Sequence, residues 1–132
     1  MPKKLASVFI PNQRAANLHI TVTGAANTAV TATLPAPPVD MFHYITHIHM
    51  TRNATAALAG TATLVHTSTN LPGNPTWSAG NAMAAGGSQL DLSYSPSGPL
   101  KSLVAGIATT LVMPAGGAAV LNHINVSYFV AP

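Results

Sequence analysis

A strict two-residue alternation near the end of the chain constrains its fold more than any other feature. Between positions 120 and 130 the residues fall into two alternating sets, Val120, Asn122, Ile124, Val126, Tyr128 and Val130 against Leu121, His123, Asn125, Ser127 and Phe129. Because successive side chains of a β-strand point to opposite sides of a sheet, this pattern predicts a strand with one buried face. The second set is partly apolar too, which indicates a strand covered on both sides or lying in a subunit interface.

Similar alternation recurs along the chain and predicts an all-β fold. No long stretch shows helical periodicity, and 10 Gly and 11 Pro residues are spread throughout. We predict further strands at 18–22, 30–34, 44–50, 58–67, 90–94 and 107–113. In the strand at 44–50, one face is expected to hold Tyr44, Thr46, Ile48 and Met50, and the other Ile45, His47 and His49. These short strands favour an antiparallel β-sandwich or barrel, with a jelly roll as the preferred topology and an immunoglobulin-like sandwich as the alternative.

The distribution of charge separates the beginning of the chain from the rest. Charged residues make up 5% of the sequence, against about 25% in an average soluble domain. Three of the 5 basic residues, Lys3, Lys4 and Arg14, lie near the start, where no periodicity is visible. We therefore predict an extended N-terminal arm at 1–16 and a single β-sandwich domain at 17–132. A domain with so few charges is expected to pack against copies of itself.

The composition also excludes several classes of function. The chain has no Cys and no Glu, which excludes disulfides and thiolate catalysis and leaves Asp40 and Asp91 as the only carboxylate side chains. Paired-carboxylate catalysis is therefore not expected, and we predict neither enzymatic activity nor a cofactor. Lys and Arg are too few for a nucleic-acid interface. The apolar run at 5–10 is too short for a secretory signal, and the uncharged stretch 103–121 is broken by Pro114, so no membrane span is expected.

His47 and His49 are the strongest candidates for metal ligands. Side chains two residues apart on a strand project from one face, so both imidazoles could reach one ion. Metal-binding barrels of the cupin type use this spacing but add a Glu and another His, whereas this chain has no Glu. His43 could act as a third ligand only if the strand bends. We favour the interpretation that His47 and His49 are polar residues on a surface or interface. The alternatives are a metal ion held by one chain and a metal ion at a symmetry axis of three chains.

Trp77 is the only Trp and lies within 68–87, a region rich in Gly, Pro and Asn that is predicted to be a long loop. Exposed Trp side chains often anchor protein partners or stack on sugars. Trp77 is therefore a possible loop contact, and the alternative is that it closes one end of the core.

Three segments carry a resemblance to a known class of proteins. They are HYITHIHMTRNATAALAG, TNLPGNPTWS and GPLKSLVAGIATTLVMPAGGAAVLNHINVSYFV, which together span about residues 40–131. In these segments the chain resembles small structural proteins encoded among tailed-phage head genes. The resemblance implies an all-β decoration (cement) protein, often a jelly-roll trimer on the capsid exterior. It implies no catalytic residues, and it does not extend to the N-terminal arm.

These observations predict a virion structural protein, a capsid decoration protein that oligomerises as a trimer and binds the major capsid protein on the capsid exterior. The arm residues expected to contact the capsid are Lys3, Lys4, Phe9 and Arg14, and those expected at the subunit interface are His47, His49, His123 and Phe129. Neither nucleic acid nor a membrane is an expected partner. The alternatives are a carbohydrate- or receptor-binding module that uses Trp77 and a small metal-dependent enzyme that uses His47 and His49.

Overall fold

The computed structural model describes residues 18–54, 61–73, 77–82, 86–94 and 98–132. Within these ranges every regular element is a β-strand, which confirms the predicted all-β class. The strands are β1 (Leu18–Thr23), β2 (Val30–Leu34), β3 (Phe42–Ala54), β4 (Thr61–Thr69), β5 (Trp77–Ala82), β6 (Gly86–Ser93), β7 (Leu100–Lys101), β8 (Thr109–Met113) and β9 (Val120–Ala131). The same ranges contain no helix that is long and apolar enough to cross a membrane.

The strands form two antiparallel sheets. The first sheet has the order β1-β9-β3-β6, with the short β7 also paired to β3, and the second has the order β2-β8-β4-β5. The pairs β1–β9, β2–β8, β3–β6 and β4–β5 are nested, as in one long hairpin folded over on itself. This nesting is the topology of a jelly roll. The predicted jelly-roll-like sandwich is therefore confirmed, and the immunoglobulin-like alternative is wrong.

The core lies between the two sheets and is built from alternate residues of their long strands. In β9 the residues that alternate toward the core are buried from Val120 to Tyr128, as the sequence pattern predicts. Facing them from the second sheet are Ala32 and Leu34 of β2 and Leu111 and Met113 of β8, all at 0% exposure. Burying one leucine or methionine side chain contributes about 1.5–3 kcal/mol, so the large residues at these positions account for much of the stability of the fold.

A β-bulge in β3 changes which side chains face the core. The pairing of β3 with β9 shifts between Ile45 and His47, so Thr46 is an extra residue without a partner in the register. Before the bulge His43 and Ile45 are buried, and after it Ile48 is buried. The predicted grouping of Tyr44 and Thr46 with Ile48 is therefore wrong. The bulge also places His43 inside the sandwich, on the opposite face from His47, so His43 is not a third ligand for that pair.

The region predicted as a long loop at 68–87 contains a strand. Trp77 is the first residue of β5, where it pairs with His66 of β4, so its placement in a loop is wrong. The segment WSAGNA has no alternation of large apolar and polar residues, which is why the pattern did not reveal a strand. In contrast, the uncharged stretch 103–121 ends in β8, a turn and the start of β9, as predicted.

A buried polar cluster closes one end of the sandwich. Arg52, at the end of β3 and only 5% exposed, donates from Nε to Asn122 Oδ1 at 3.0 Å and from Nη2 to the Pro114 carbonyl at 2.7 Å. Asn122 Nδ2 donates to the same carbonyl at 2.9 Å and to the Thr28 carbonyl at 3.3 Å. The cluster therefore fastens the β1–β2 and β8–β9 turns to the first sheet.

Candidate interaction surface

The outer face of the first sheet carries a continuous array of polar side chains. Strand register places them in three rows, namely His19, Ser127, His47 and Ser93, then Thr21, Asn125, His49 and Asp91, then Thr23, His123 and Thr51. Residues between these positions, such as Ile20, Ile48 and Val126, point toward the core. Among the described side chains of the three rows, Asp91 alone carries a formal charge. This array is therefore almost neutral yet rich in hydrogen-bonding groups.

His47 and His49 lie side by side at the centre of the array. Their rings are nearly parallel, with centroids 6.3 Å apart and an interplanar angle of 18°. His47 Nε2–H donates to Asp91 Oδ1 on the neighbouring strand β6. Within the described residues, no group of three or more His, Cys, Asp or Glu side chains is arranged to hold a metal ion. The geometry accordingly presents the two imidazoles as oriented hydrogen-bonding groups.

The other two imidazoles of the array are oriented by hydroxyl groups on adjacent strands. His19 Nδ1 and Ser127 Oγ are hydrogen-bonded at 2.9 Å, and His123 Nδ1 and Thr23 Oγ1 at 3.0 Å. Both contacts join β1 to β9. Side chains that are already fixed in this way lose less conformational entropy when a partner binds.

An aromatic cluster adjoins the polar rows at one end of the same face. Tyr44 of β3 and Phe129 of β9 stack with centroids 5.0 Å apart and an interplanar angle of 6°. Lys101 Nζ lies 3.8 Å from the ring centroid of Phe42, within the range of a cation–π contact. The Tyr44 hydroxyl donates to the Pro132 carbonyl at 2.8 Å. Aromatic side chains held in this manner are the type that most often carries binding energy at protein interfaces.

The structure brings together the four residues predicted for the subunit interface. His47, His49, His123 and Phe129 all lie on the outer face of the first sheet. The sequence did not single out Tyr44, because the bulge that turns it outward is not visible in the alternation. The predicted arm residues Lys3, Lys4, Phe9 and Arg14 lie outside the described residues, as does the side chain of Trp77.

A second surface, at the end of the sandwich where β3 begins, is apolar. Val39 is 82% exposed and Leu103 60% exposed, and Val104 and Ile107 are about half exposed. We call these four residues the apolar tip. Gly106 N–H donates to the Met41 carbonyl at 2.9 Å and so joins the two loops that carry them. The sequence pattern did not reveal this surface, because exposed and buried apolar residues look alike in an uncharged stretch.

Comparisons with known proteins add little to this description. No protein-family model matches the chain, and no curated protein matches it. The chain is similar to a solved structure described as the cryo-EM structure of the giant freshwater prawn Macrobrachium rosenbergii extra small virus VLP. The likeness covers 86% of this chain and 79% of that chain, with 14% sequence identity and a TM-score of 0.39. At this TM-score it carries no argument, and the resemblance to tailed-phage decoration proteins stays a prediction.

Proposed function

We propose that this protein is a structural component of a virus particle that works by packing against copies of itself. The observation that carries the proposal is the outer face of the first sheet, where oriented uncharged polar groups adjoin a stacked aromatic pair. Moving charged side chains out of water into an interface costs several kcal/mol unless each one is paired. A face of Ser, Thr, Asn and His side chains avoids most of this cost, since such groups can exchange hydrogen bonds with water for hydrogen bonds with a second copy.

The jelly-roll topology is compatible with this proposal but does not decide it. Jelly rolls occur in viral capsid proteins, in lectins and in cupins, and a fold by itself does not assign a function. The low charge of the domain and the resemblance of residues 40–131 to phage head proteins favour the first of these classes. For a small metal-dependent enzyme, the described residues offer no group of three or more metal ligands.

At a finer level we propose that the protein is a decoration protein on the capsid exterior. It assembles as a trimer through the outer face of the first sheet, and it binds the major capsid protein through the basic N-terminal arm with Lys3, Lys4, Phe9 and Arg14. Several weak contacts made by one oligomer would together hold it firmly, because avidity multiplies the individual affinities.

Co-sedimentation with capsids tests this proposal. The purified full chain is mixed with capsids assembled from the major capsid protein of the same genome, and the pellet is assayed over a range of concentrations. We expect saturable binding, with weaker binding by a variant that lacks residues 1–16. A compact monomer that stays in the supernatant at every concentration would overturn the proposal. Binding that is unchanged without residues 1–16 would overturn the role of the arm.

A further inference from the structure

His43 is a fully buried histidine whose two ring nitrogens both have partners. It is 0% exposed. Nε2 lies 2.9 Å from the Pro35 carbonyl oxygen, and Nδ1 lies 2.9 Å from Thr109 Oγ1. Because a carbonyl oxygen only accepts hydrogen bonds, Nε2 carries the hydrogen and Nδ1 of the neutral ring accepts from the Thr109 hydroxyl. The environment therefore fits one tautomer of the neutral imidazole.

The hydrogen-bond chain continues from His43 to the loop between β7 and β8. Asn70 Nδ2 donates to Thr109 Oγ1 at 3.2 Å and also to the carbonyls of Val104 and Ile107, each at 3.2 Å. Val104 N–H donates to Asn70 Oδ1 at 2.8 Å. Asn70 has a φ of 56°, a left-handed conformation that Asn tolerates better than most residues. One asparagine thus connects the buried histidine with the loop.

The backbone of His43 holds the same loop at its first residue. Ser102 N–H donates to the His43 carbonyl at 2.8 Å, and His43 N–H donates to Ser102 Oγ at 3.0 Å. Leu103 N–H donates to the Asn70 carbonyl at 2.9 Å. The loop at 102–108 carries three of the four apolar-tip residues, with Leu103 among them. Those side chains are exposed, so hydrophobic burial contributes little to holding the loop, and its position depends on these polar contacts.

We propose that His43 is a proton-sensitive latch for the apolar tip, which holds the 102–108 loop while the imidazole is neutral and releases it when the imidazole is protonated. Protonation would place a hydrogen on Nδ1, directed at Thr109 Oγ1. The Thr109 hydroxyl would then accept from both Nδ1 and Asn70 Nδ2, and its own hydrogen would lose its acceptor. The closed loop would then hold a buried cation and a buried hydroxyl hydrogen without an acceptor, and both costs favour the released loop.

The surroundings of His43 do not compensate for a positive charge. Its partners among the described residues are a carbonyl, a hydroxyl and the ring of Tyr128, which meets the imidazole edge-on with centroids 5.5 Å apart. Of the charged groups on neighbouring segments, Lys101 has its Nζ over Phe42 on the outer face, and Asp40 is exposed. Burial lowers the pKa of His43, opposed by a smaller effect of the hydrogen bond to Pro35, which raises it.

The direction of the pH effect follows from this lowered pKa. Above the ordinary imidazole pKa of about 6.5, His43 is neutral in both the closed and the released loop, so the latch is intact. Below that pH the released form binds a proton first. The equilibrium constant for loop opening therefore rises as the pH falls through 6.5, by at most about tenfold per pH unit, until the pKa of the closed form is reached.

Hydrogen–deuterium exchange of the full chain tests the latch, because the amides of Leu103, Val104 and Gly106 report directly on the loop. Exchange is measured at pH 7.5, 6.5 and 5.5 and corrected for the intrinsic pH dependence of amide exchange. We expect the opening constant to rise by up to about fivefold between pH 6.5 and 5.5 in the native chain. The rise should persist in the control His66→Gln, which removes an imidazole from β4 in the second sheet, and should be absent in His43→Gln.

An opening constant that is equal at all three pH values in the native chain would overturn the proposal, as would an unchanged pH dependence in His43→Gln. If His43→Gln does not fold, side-chain NMR of the native chain decides the question. The imidazole nitrogens of His43 must then titrate over the same pH range as the loop opens. Loop opening that follows a different pH range would show that another group controls it.

Discussion

Arg52 and Asn122 allow a quantitative test of the buried polar cluster, because the side chain of each is a hydrogen-bond partner of the other. Arg52 Nε donates to Asn122 Oδ1 at 3.0 Å, and both side chains bond the Pro114 carbonyl. Burial lowers the pKa of the Arg52 guanidinium, but arginine stays protonated in proteins. The substitution Asn122→Leu therefore leaves a buried cation without one of its acceptors.

The size of each effect follows from these contacts. Arg52→Met removes the hydrogen bonds from a charged donor to Asn122 and Pro114, worth about 1.5–3 kcal/mol each, while the methionine regains part of the packing, so we expect a loss of about 3 kcal/mol. Asn122→Leu should cost about 3–5 kcal/mol, because it breaks a buried charged interaction from one side. The double variant removes donor and acceptor together. Its cost should be near that of Asn122→Leu alone, which corresponds to a coupling of about 3 kcal/mol, equal to the cost of Arg52→Met.

Urea unfolding followed by far-ultraviolet circular dichroism measures the free energies of unfolding of all four proteins. The protein concentration is held constant, since self-association would otherwise contribute to the apparent stability. If the two single effects add to within about 0.5 kcal/mol in the double variant, the two residues act independently. That result would refute the assignment of Arg52 and Asn122 to one network.

Three further predictions concern packing. Leu111→Ala should lower the free energy of unfolding by about 2–5 kcal/mol in the same assay. Leu103→Ala, at an exposed position, should change it by less than about 0.5 kcal/mol. Equal effects of the two substitutions would contradict the placement of Leu111 in the core. In Gly116→Ala the new Cβ would lie 2.6 Å from Val120 Cγ1, so thermal unfolding should show a loss of about 1–3 kcal/mol, and an unchanged melting temperature would argue against this contact. Deletion of Thr46, the extra residue of the bulge, leaves Ile45 and His47 opposite Tyr128 and Ser127 with their side chains on the same faces as before. Urea unfolding of this variant should therefore remain cooperative, and loss of the cooperative transition would contradict the bulge.

The parts of the fold that the sequence predicted are those in which burial alternates without interruption. In β9, Val120 to Tyr128 alternate regularly between buried and half-buried positions, so the pattern alone was sufficient. In β3 the pattern failed because Tyr44 and Thr46 are compatible with either face and nothing local marks the bulge. The strand β5 was missed because its small residues give no alternation.

The candidate surface was predictable in composition but not in arrangement. The spacing of His47 and His49 placed them on one face, whereas the position of His47 beside Ser127 and of His49 beside Asn125 depends on the pairing of β3 with β9. These contacts join residues far apart in sequence, and no local pattern encodes them. The buried position of His43 was hidden for the same reason, since it follows from the bulge and from the distant loop at 102–108.

Sedimentation velocity tests the central claim most directly, namely that the outer face of the first sheet packs against further copies of the chain. Thr51→Lys places a charge within the three polar rows, and the matched control Thr33→Lys places the same charge at an exposed position of β2 on the other sheet. The native chain and Thr33→Lys should sediment as the same oligomer. The concentration below which the oligomer dissociates should be about 100-fold higher for Thr51→Lys than for the native chain, because an unpaired charge in an interface costs several kcal/mol. A native chain that is monomeric at every concentration, or a Thr51→Lys variant that associates as the native chain does, would contradict the claim.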